Sequence, residues 1–155
     1  MKFMMNAALT VRTRDGATIE MAEAAREENP LLCGLTVGQV DNGRPWYSSR
    51  WHYEHEPETR AAINLISYDY FSHNERGAFE PLRDTLLLFG DRDLHLADLK
   101  SYFEAQRRLG ALYGDPGAWA QKAILNVASS GKFSADRTIH EFTTEIWKVE
   151  PCAIP

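Results

Sequence analysis

Strand-like sequence is confined to the first 36 residues of this 155-residue chain. Ala7 to Val11 is a short strand candidate, ended by the turn-forming run Arg14-Asp15-Gly16. Leu31 to Leu35 is a second apolar run of strand length. Between them, Ile19 to Glu28 is rich in Ala, Met and Glu, which favours a helix, and Asn29-Pro30 stops it. Thr36 is placed to cap a brief helix through Val40, which Asn42-Gly43 breaks. Strand, helix and strand in that order suggest part of a βαβ layer. Two or three short strands do not make an independently stable sheet. Their apolar faces need partners, so part of the fold is expected to lie outside this chain.

The remainder reads as helical. Pro45 to Tyr53 is aromatic-rich and has no clear period. Pro57 suits a first helical turn, and Ala62, Leu65, Ile66 and Tyr70 follow at helical spacing. Ala78 to Phe89 predicts another apolar helix. Ala97 to Tyr113 places Leu99, Tyr102, Phe103, Leu109 and Tyr113 along one side. Asp115-Pro116 is a start signal, with Asp as cap and Pro in the first turn. From there Trp119, Ala123, Ile124, Val127 and Ala128 form one stripe. A final helix is expected from Ser134, its stripe Ile139, Phe142, Ile146 and Val149, its end Pro151.

Composition excludes some functions. The 17 basic and 22 acidic residues give a net charge of −5, which argues against a non-specific nucleic-acid binder. No polybasic run is present to hold an anionic membrane, and no stretch approaches the roughly 20 apolar residues of a membrane span. Met1 to Met5 is too short for a signal peptide before Asn6 interrupts it. Cys33 and Cys152 have no metal-ligand spacing and are expected to be thiols of a reducing cytoplasm.

Several residue groups could carry chemistry. His52, Glu54 and His55 offer two imidazoles at i, i+3, but no further ligand stands nearby, so surface histidines are expected and no metal site. Ser129 to Ser134 lacks the glycine spacing of a phosphate loop and follows no strand, so it reads as a loop with Ser134 as a helix cap. Asp136-Arg137 suggests a local ion pair. Trp46, Tyr47, Trp51 and Tyr53 could stack on sugar rings, although core or interface packing is the simpler expectation.

Two long segments carry a family resemblance. The first is Lys2-Phe3-Met4-Met5-Asn6-Ala7-Ala8-Leu9-Thr10, followed by Thr13 to Glu23 and Glu27-Glu28-Asn29. The second is Asn126-Val127-Ala128 with Ser130-Gly131-Lys132-Phe133-Ser134-Ala135-Asp136-Arg137-Thr138-Ile139 and then Glu145-Ile146-Trp147-Lys148-Val149-Glu150-Pro151. Tyr113, Pro116 and Trp119 match a Y-x-x-P-x-x-W between them. In order and separation these resemble the C-terminal end of the α-glucan (glycogen, starch or maltodextrin) phosphorylases. The likeness covers nearly the whole chain but a small part of such an enzyme.

The resemblance implies an α/β fold: a doubly wound, Rossmann-like C-terminal domain, with the active site in the cleft it forms with an N-terminal domain. Residues 1–155 would be one partial domain, with 1–36 a strand-helix-strand remnant and 37–155 helical. This chain itself would be mostly α-helical with two or three short strands. It implies phosphorolysis of α-1,4-glucan to glucose 1-phosphate, with pyridoxal phosphate as cofactor and α-glucan and phosphate as partners. Lys2 matches the family's Schiff-base lysine and is the one cofactor-binding residue; no catalytic residue is carried securely by this chain. A lysine amine must lose its proton to attack an aldehyde, which takes a desolvated or cationic pocket. The glycine-rich segment and basic residues that would complete that pocket are absent from these 155 residues, so neither cofactor retention nor activity is expected of the chain alone. Ala7 and Arg12 stand where the family has glycine, Thr18 where it has Asn, and Arg26 and Pro30 where it has Gly and an aromatic. The change at Arg12 is expected to matter most, since a glycine often marks positive φ or close approach. The alternative reading is a free-standing helical binding or oligomerisation module; either way, self-association into a homo-oligomer is expected.

Overall fold

The structure, a computed structural model of the chain, describes residues 2–14, 16–25, 31–73, 75–150 and 152. The Asp15 turn residue, the Arg26 and Pro30 replacements, the Asn29-Pro30 stop and Pro151 lie outside the described residues. The chain divides into two compact units, one of residues 1–10, 16–31 and 111–155, the other of residues 11–15 and 32–110.

The first unit opens with α1 (Lys2–Met5) and contains α2 (Ala17–Ala25), α8 (Pro116–Ser129) and α9 (Ala135–Glu141). Its core is small. Met4, Met21 and Ala25 are buried together, and Phe133 packs against them. Ala22 and Thr18 are buried beside Met21 in sequence, so one side of α2 is closed off from water. Asn126 on α8 is also buried, and its Nδ2 donates to the Ala8 carbonyl at 2.8 Å. Buried amides need such partners, so this bond fixes the segment after α1 against α8.

Local chemistry explains where these helices begin. The Asp115 carboxylate accepts from the Ala118 N–H at 3.0 Å, and Pro116 occupies the first turn. Ser134 accepts from the Arg137 N–H at 3.1 Å. The segment between α8 and α9 is a 3₁₀ turn, Ser130–Phe133, as expected of a connector rather than a phosphate cradle. The end differs from expectation. After Glu141 the helix widens into a π-helical turn, Phe142–Trp147, and Lys148 leaves it with φ 52°. The hydroxyls of Thr143 and Thr144 both donate to the His140 carbonyl, at 2.9 and 2.7 Å, competing with the regular ladder. The stripe Ile139, Phe142, Ile146 and Val149 remains 44–62% exposed.

The second unit holds β1 (Val11–Thr13) paired with β2 (Leu31–Cys33), and the helices α3 (Val37–Gly43), α4 (Ser49–His55), α5 (Pro57–Ser67), α6 (Glu80–Leu87) and α7 (His95–Tyr113), the last of which leaves this unit after Gly110. Among the described residues there are two strands, parallel, in an otherwise helical chain. The first begins four residues later than the sequence suggests, because Asn6 and Ala7 turn the chain out of α1 before extension starts. Thr36 and Gln39 form a reciprocal capping box at α3. The Ser48 hydroxyl accepts from the Trp51 N–H at 3.2 Å and starts α4.

Packing follows from these starts. Ile63 and Thr59 on α5 and Ser49 on α4 are buried. Beyond β2 the backbone bonds to α7: the Gly34 N–H donates to Ser101 Oγ at 2.6 Å and the Leu35 N–H to Asp98 Oδ1 at 2.7 Å. On α7 the fully buried side chains are Leu96 and Ala105, not the aromatic line the spacing predicts. Tyr102 and Tyr113 stay 41% and 74% exposed. Periodicity identifies a helix but cannot choose its covered face when neighbouring elements are short.

Candidate functional site

Lys2 is the residue that sequence singles out, and α1 positions it. This helix is four residues long, held by the burial of Met4 and closed by a turn through Asn6 and Ala7. The Ala8 N–H donates to the Phe3 carbonyl at 3.0 Å and the Ala7 N–H to the Met4 carbonyl at 3.1 Å. Those two bonds make a Schellman closure, whose pivot residue adopts the left-handed conformation; Ala7 has φ 64°. So of the two glycine replacements among the described residues, Ala7 and not Arg12 falls where the backbone favours glycine. Arg12 lies within β1, where the extended backbone suits any side chain.

Lys2 itself is exposed. Its carbonyl accepts from Asn6 Nδ2 at 2.8 Å. An imine-forming lysine requires desolvation or neighbouring cations, and the exposed Lys2 is not desolvated here.

The other candidates separate clearly. Among the described residues no group of three or more His, Cys, Asp and Glu side chains could hold a metal ion. His55 is an exposed residue stacked on Trp51, with ring centroids 4.9 Å apart and planes 13° apart. His52 is not a surface histidine: its side chain is 17% exposed, wedged between the Tyr47 and Trp51 rings. Its Nδ1 lies 3.1 Å from the Glu56 carboxylate, without the alignment of a hydrogen bond. Arg137 turns away from Asp136 and pairs with Glu141 at 2.5 Å, one helical turn on. Neither cysteine is in a disulfide; Cys33 is buried and Cys152 exposed. Burial first, and the Asp98 carboxylate second, push the Cys33 thiol above its ordinary pKa.

The aromatic segment 46–53 is neither core nor loop. Trp46 is 87% exposed and Trp51 51% exposed. Tyr47 is half-buried and its hydroxyl donates to Asp91, a carboxylate only 1% exposed. Asp91 also accepts from the backbone N–H groups of His95 at 3.0 Å and Leu96 at 2.8 Å, so it caps α7. Burial and this bonding to a carboxylate raise the Tyr47 phenol far above its usual range. Sequence reading missed Asp91. The signal available was an acidic residue just ahead of a helix start, which is common enough to be uninformative alone.

Comparison with known proteins agrees with the residue-level likeness. The family model for carbohydrate phosphorylases matches residues 1–149. Over 152 residues the chain is 45% identical to the brain form of glycogen phosphorylase from Homo sapiens, covering 97% of this chain and 18% of that protein. The brain form from Pongo abelii is equally similar, at 45%, and the muscle form from Oryctolagus cuniculus is 43% identical, each again with 18% of its length covered. The chain thus spans about a fifth of the length of the curated relatives it matches. Tyr113 and Trp119, two residues of the quoted motifs, meet edge-to-face with ring centroids 5.3 Å apart, so this part of the likeness has a packing basis. On the match over residues 1–149, the chain belongs to the carbohydrate phosphorylase family.

Proposed function

We propose that this chain is the C-terminal part of an α-glucan phosphorylase, one partial domain of the doubly wound, Rossmann-like type. The observation that carries this is the alignment of 97% of the chain with glycogen phosphorylases. The whole protein is a cytoplasmic glycosyltransferase that cleaves α-1,4-glucan with phosphate to yield glucose 1-phosphate. Pyridoxal phosphate, when bound in the whole protein, supplies a phosphate group for proton transfer. Lys2 is the residue of this chain that would hold it. The chain's further contribution is support: buried Met4 and the Asn126 bond to Ala8 anchor the segment that carries Lys2. Alone, the chain neither retains the cofactor nor performs phosphorolysis, because exposed Lys2 lacks the desolvation that imine formation requires.

A chimera tests this. The matched segment of the human brain glycogen phosphorylase is replaced by this chain, and glucose 1-phosphate formation from glycogen is measured. Activity that disappears with Lys2→Ala, together with borohydride trapping of the cofactor on Lys2, is the expected result. An inactive but folded chimera overturns the family function. Glucose 1-phosphate made by the isolated chain, given cofactor, phosphate and maltooligosaccharide, overturns the claim of inactivity.

A second reading, an oligomerisation module, is favoured by α8. Ile124 and Val127 are 66% and 43% exposed and line an apolar cavity with Ala7, Ala120, Ala123 and Ala128. Self-association through this face is expected at high concentration. A monomer throughout sedimentation velocity runs would count against it.

A further inference from the structure

Three features of segment 43–55 combine. Trp46 stands 87% exposed on a 3₁₀ turn, Arg44–Trp46, stiffened by Pro45. Tyr47 is tethered through its hydroxyl to buried Asp91, so its ring direction is fixed. Trp51 is clamped by the stacked ring of His55 and leaves 51% of its surface open. Gly43, Trp46, Tyr47, Ser48, Trp51 and His52 together line a cavity of about 380 Å³. That volume lies in the range of small-ligand pockets.

The lining sets the ligand class. It holds three aromatic rings, an imidazole, a hydroxyl and a glycine, and no aliphatic side chain. A pyranose ring presents faces of C–H bonds ringed by hydroxyl groups. Flat aromatic surfaces cover the former, and hydroxyl, imidazole and indole N–H groups bond to the latter. The Tyr47 and Trp51 rings are already held in place, so a ligand would not have to order them.

We propose that this cavity is a binding site for α-linked glucan, with Trp46 and Trp51 as its stacking surfaces and with no part in bond cleavage. The choice of an α-linked glucose chain rests on the proposed phosphorylase function; the choice of a sugar rests on the lining.

The intact 155-residue chain is titrated with maltoheptaose while tryptophan fluorescence and calorimetric heat are followed. Saturable binding is expected, about tenfold weaker in both Trp46→Ala and Trp51→Ala. Trp147→Ala, which removes a 62% exposed tryptophan elsewhere, is expected to bind as the parent does. Circular dichroism of each variant checks that the helices persist. Absence of binding overturns the proposal, as does binding that ignores both cavity substitutions or that accepts cellohexaose equally well. If Trp46→Ala instead dissociates a dimer and maltoheptaose does nothing, the surface is a protein interface and the proposal fails. The chimera separates the two ideas. Phosphorolysis by the chimera with no maltoheptaose binding here sinks the glucan site alone. Trp46-dependent binding here with a folded, inactive chimera leaves the site standing and sinks the phosphorylase function.

Discussion

The Tyr47 hydroxyl donates a hydrogen bond to the buried carboxylate of Asp91, 44 residues away along the chain. That carboxylate simultaneously receives the first free N–H groups of α7, so one bond links the aromatic segment to the longest helix. A negative charge at a helix N-terminus is also favoured by the helix dipole. Removing one partner leaves the other desolvated and under-bonded. Tyr47→Phe is therefore expected to lower stability by about 2 kcal/mol in urea unfolding, the usual size for a bond to a charged group. Asp91→Ala should cost more, since it also uncaps α7.

Alkaline titration should reveal the same bond. The folded phenol of Tyr47 holds its proton more tightly than an unfolded one. Below the ordinary tyrosine pKa of about 10 both states are protonated and the full stability is present. Above it the unfolded state loses a proton that the folded state keeps, so stability falls as pH rises. Phenolate absorbance should show one of the six tyrosines ionising late, and that late step should vanish in Tyr47→Phe.

Ala7 sits at φ 64° as the pivot of the closure after α1. A Cβ in the left-handed region costs roughly 1–2 kcal/mol, partly offset by the greater unfolded-state freedom of glycine. Ala7→Gly should stabilise the chain by about 1 kcal/mol, seen as a higher urea midpoint with unchanged slope. A lower midpoint would show that the Ala7 methyl contributes more through packing than it costs in strain.

Gly34 has φ +79°, and a Cβ there would lie 2.7 Å from Asp98 Oδ2. That carboxylate accepts from the Leu35 N–H, so moving it breaks the bond that ties the end of β2 to α7. Gly34→Ala should destabilise by about 2 kcal/mol or more, against near-neutrality for Gly38→Ala, where nothing lies within 4 Å of the added atom.

The two thiols should react at different rates. Cys33 is buried, its thiol pushed up in pKa and donating to the Arg12 carbonyl at 3.4 Å; Cys152 is exposed. Because the thiolate is the nucleophile, Ellman's reagent should show one fast and one slow phase in the native chain. Cys33→Ala should remove the slow phase alone.

Much of this was legible from sequence for one reason. Helix starts are set within four residues, and Thr36, Ser48, Asp115 and Ser134 each bond to a backbone N–H three positions on. The signals at Thr36, Asp115 and Ser134, with the motif segments at either end, established the helical character and the family, whereas the Ser48 start lies in the segment left without a clear period. The bond from Tyr47 to Asp91 and the uncovered stripe through Ile139 and Phe142 were decided by tertiary structure alone. Pairing over 44 residues depends on where whole helices come to rest, and exposure depends on which neighbour covers a face. Neither is encoded in the spacing of residues along one segment.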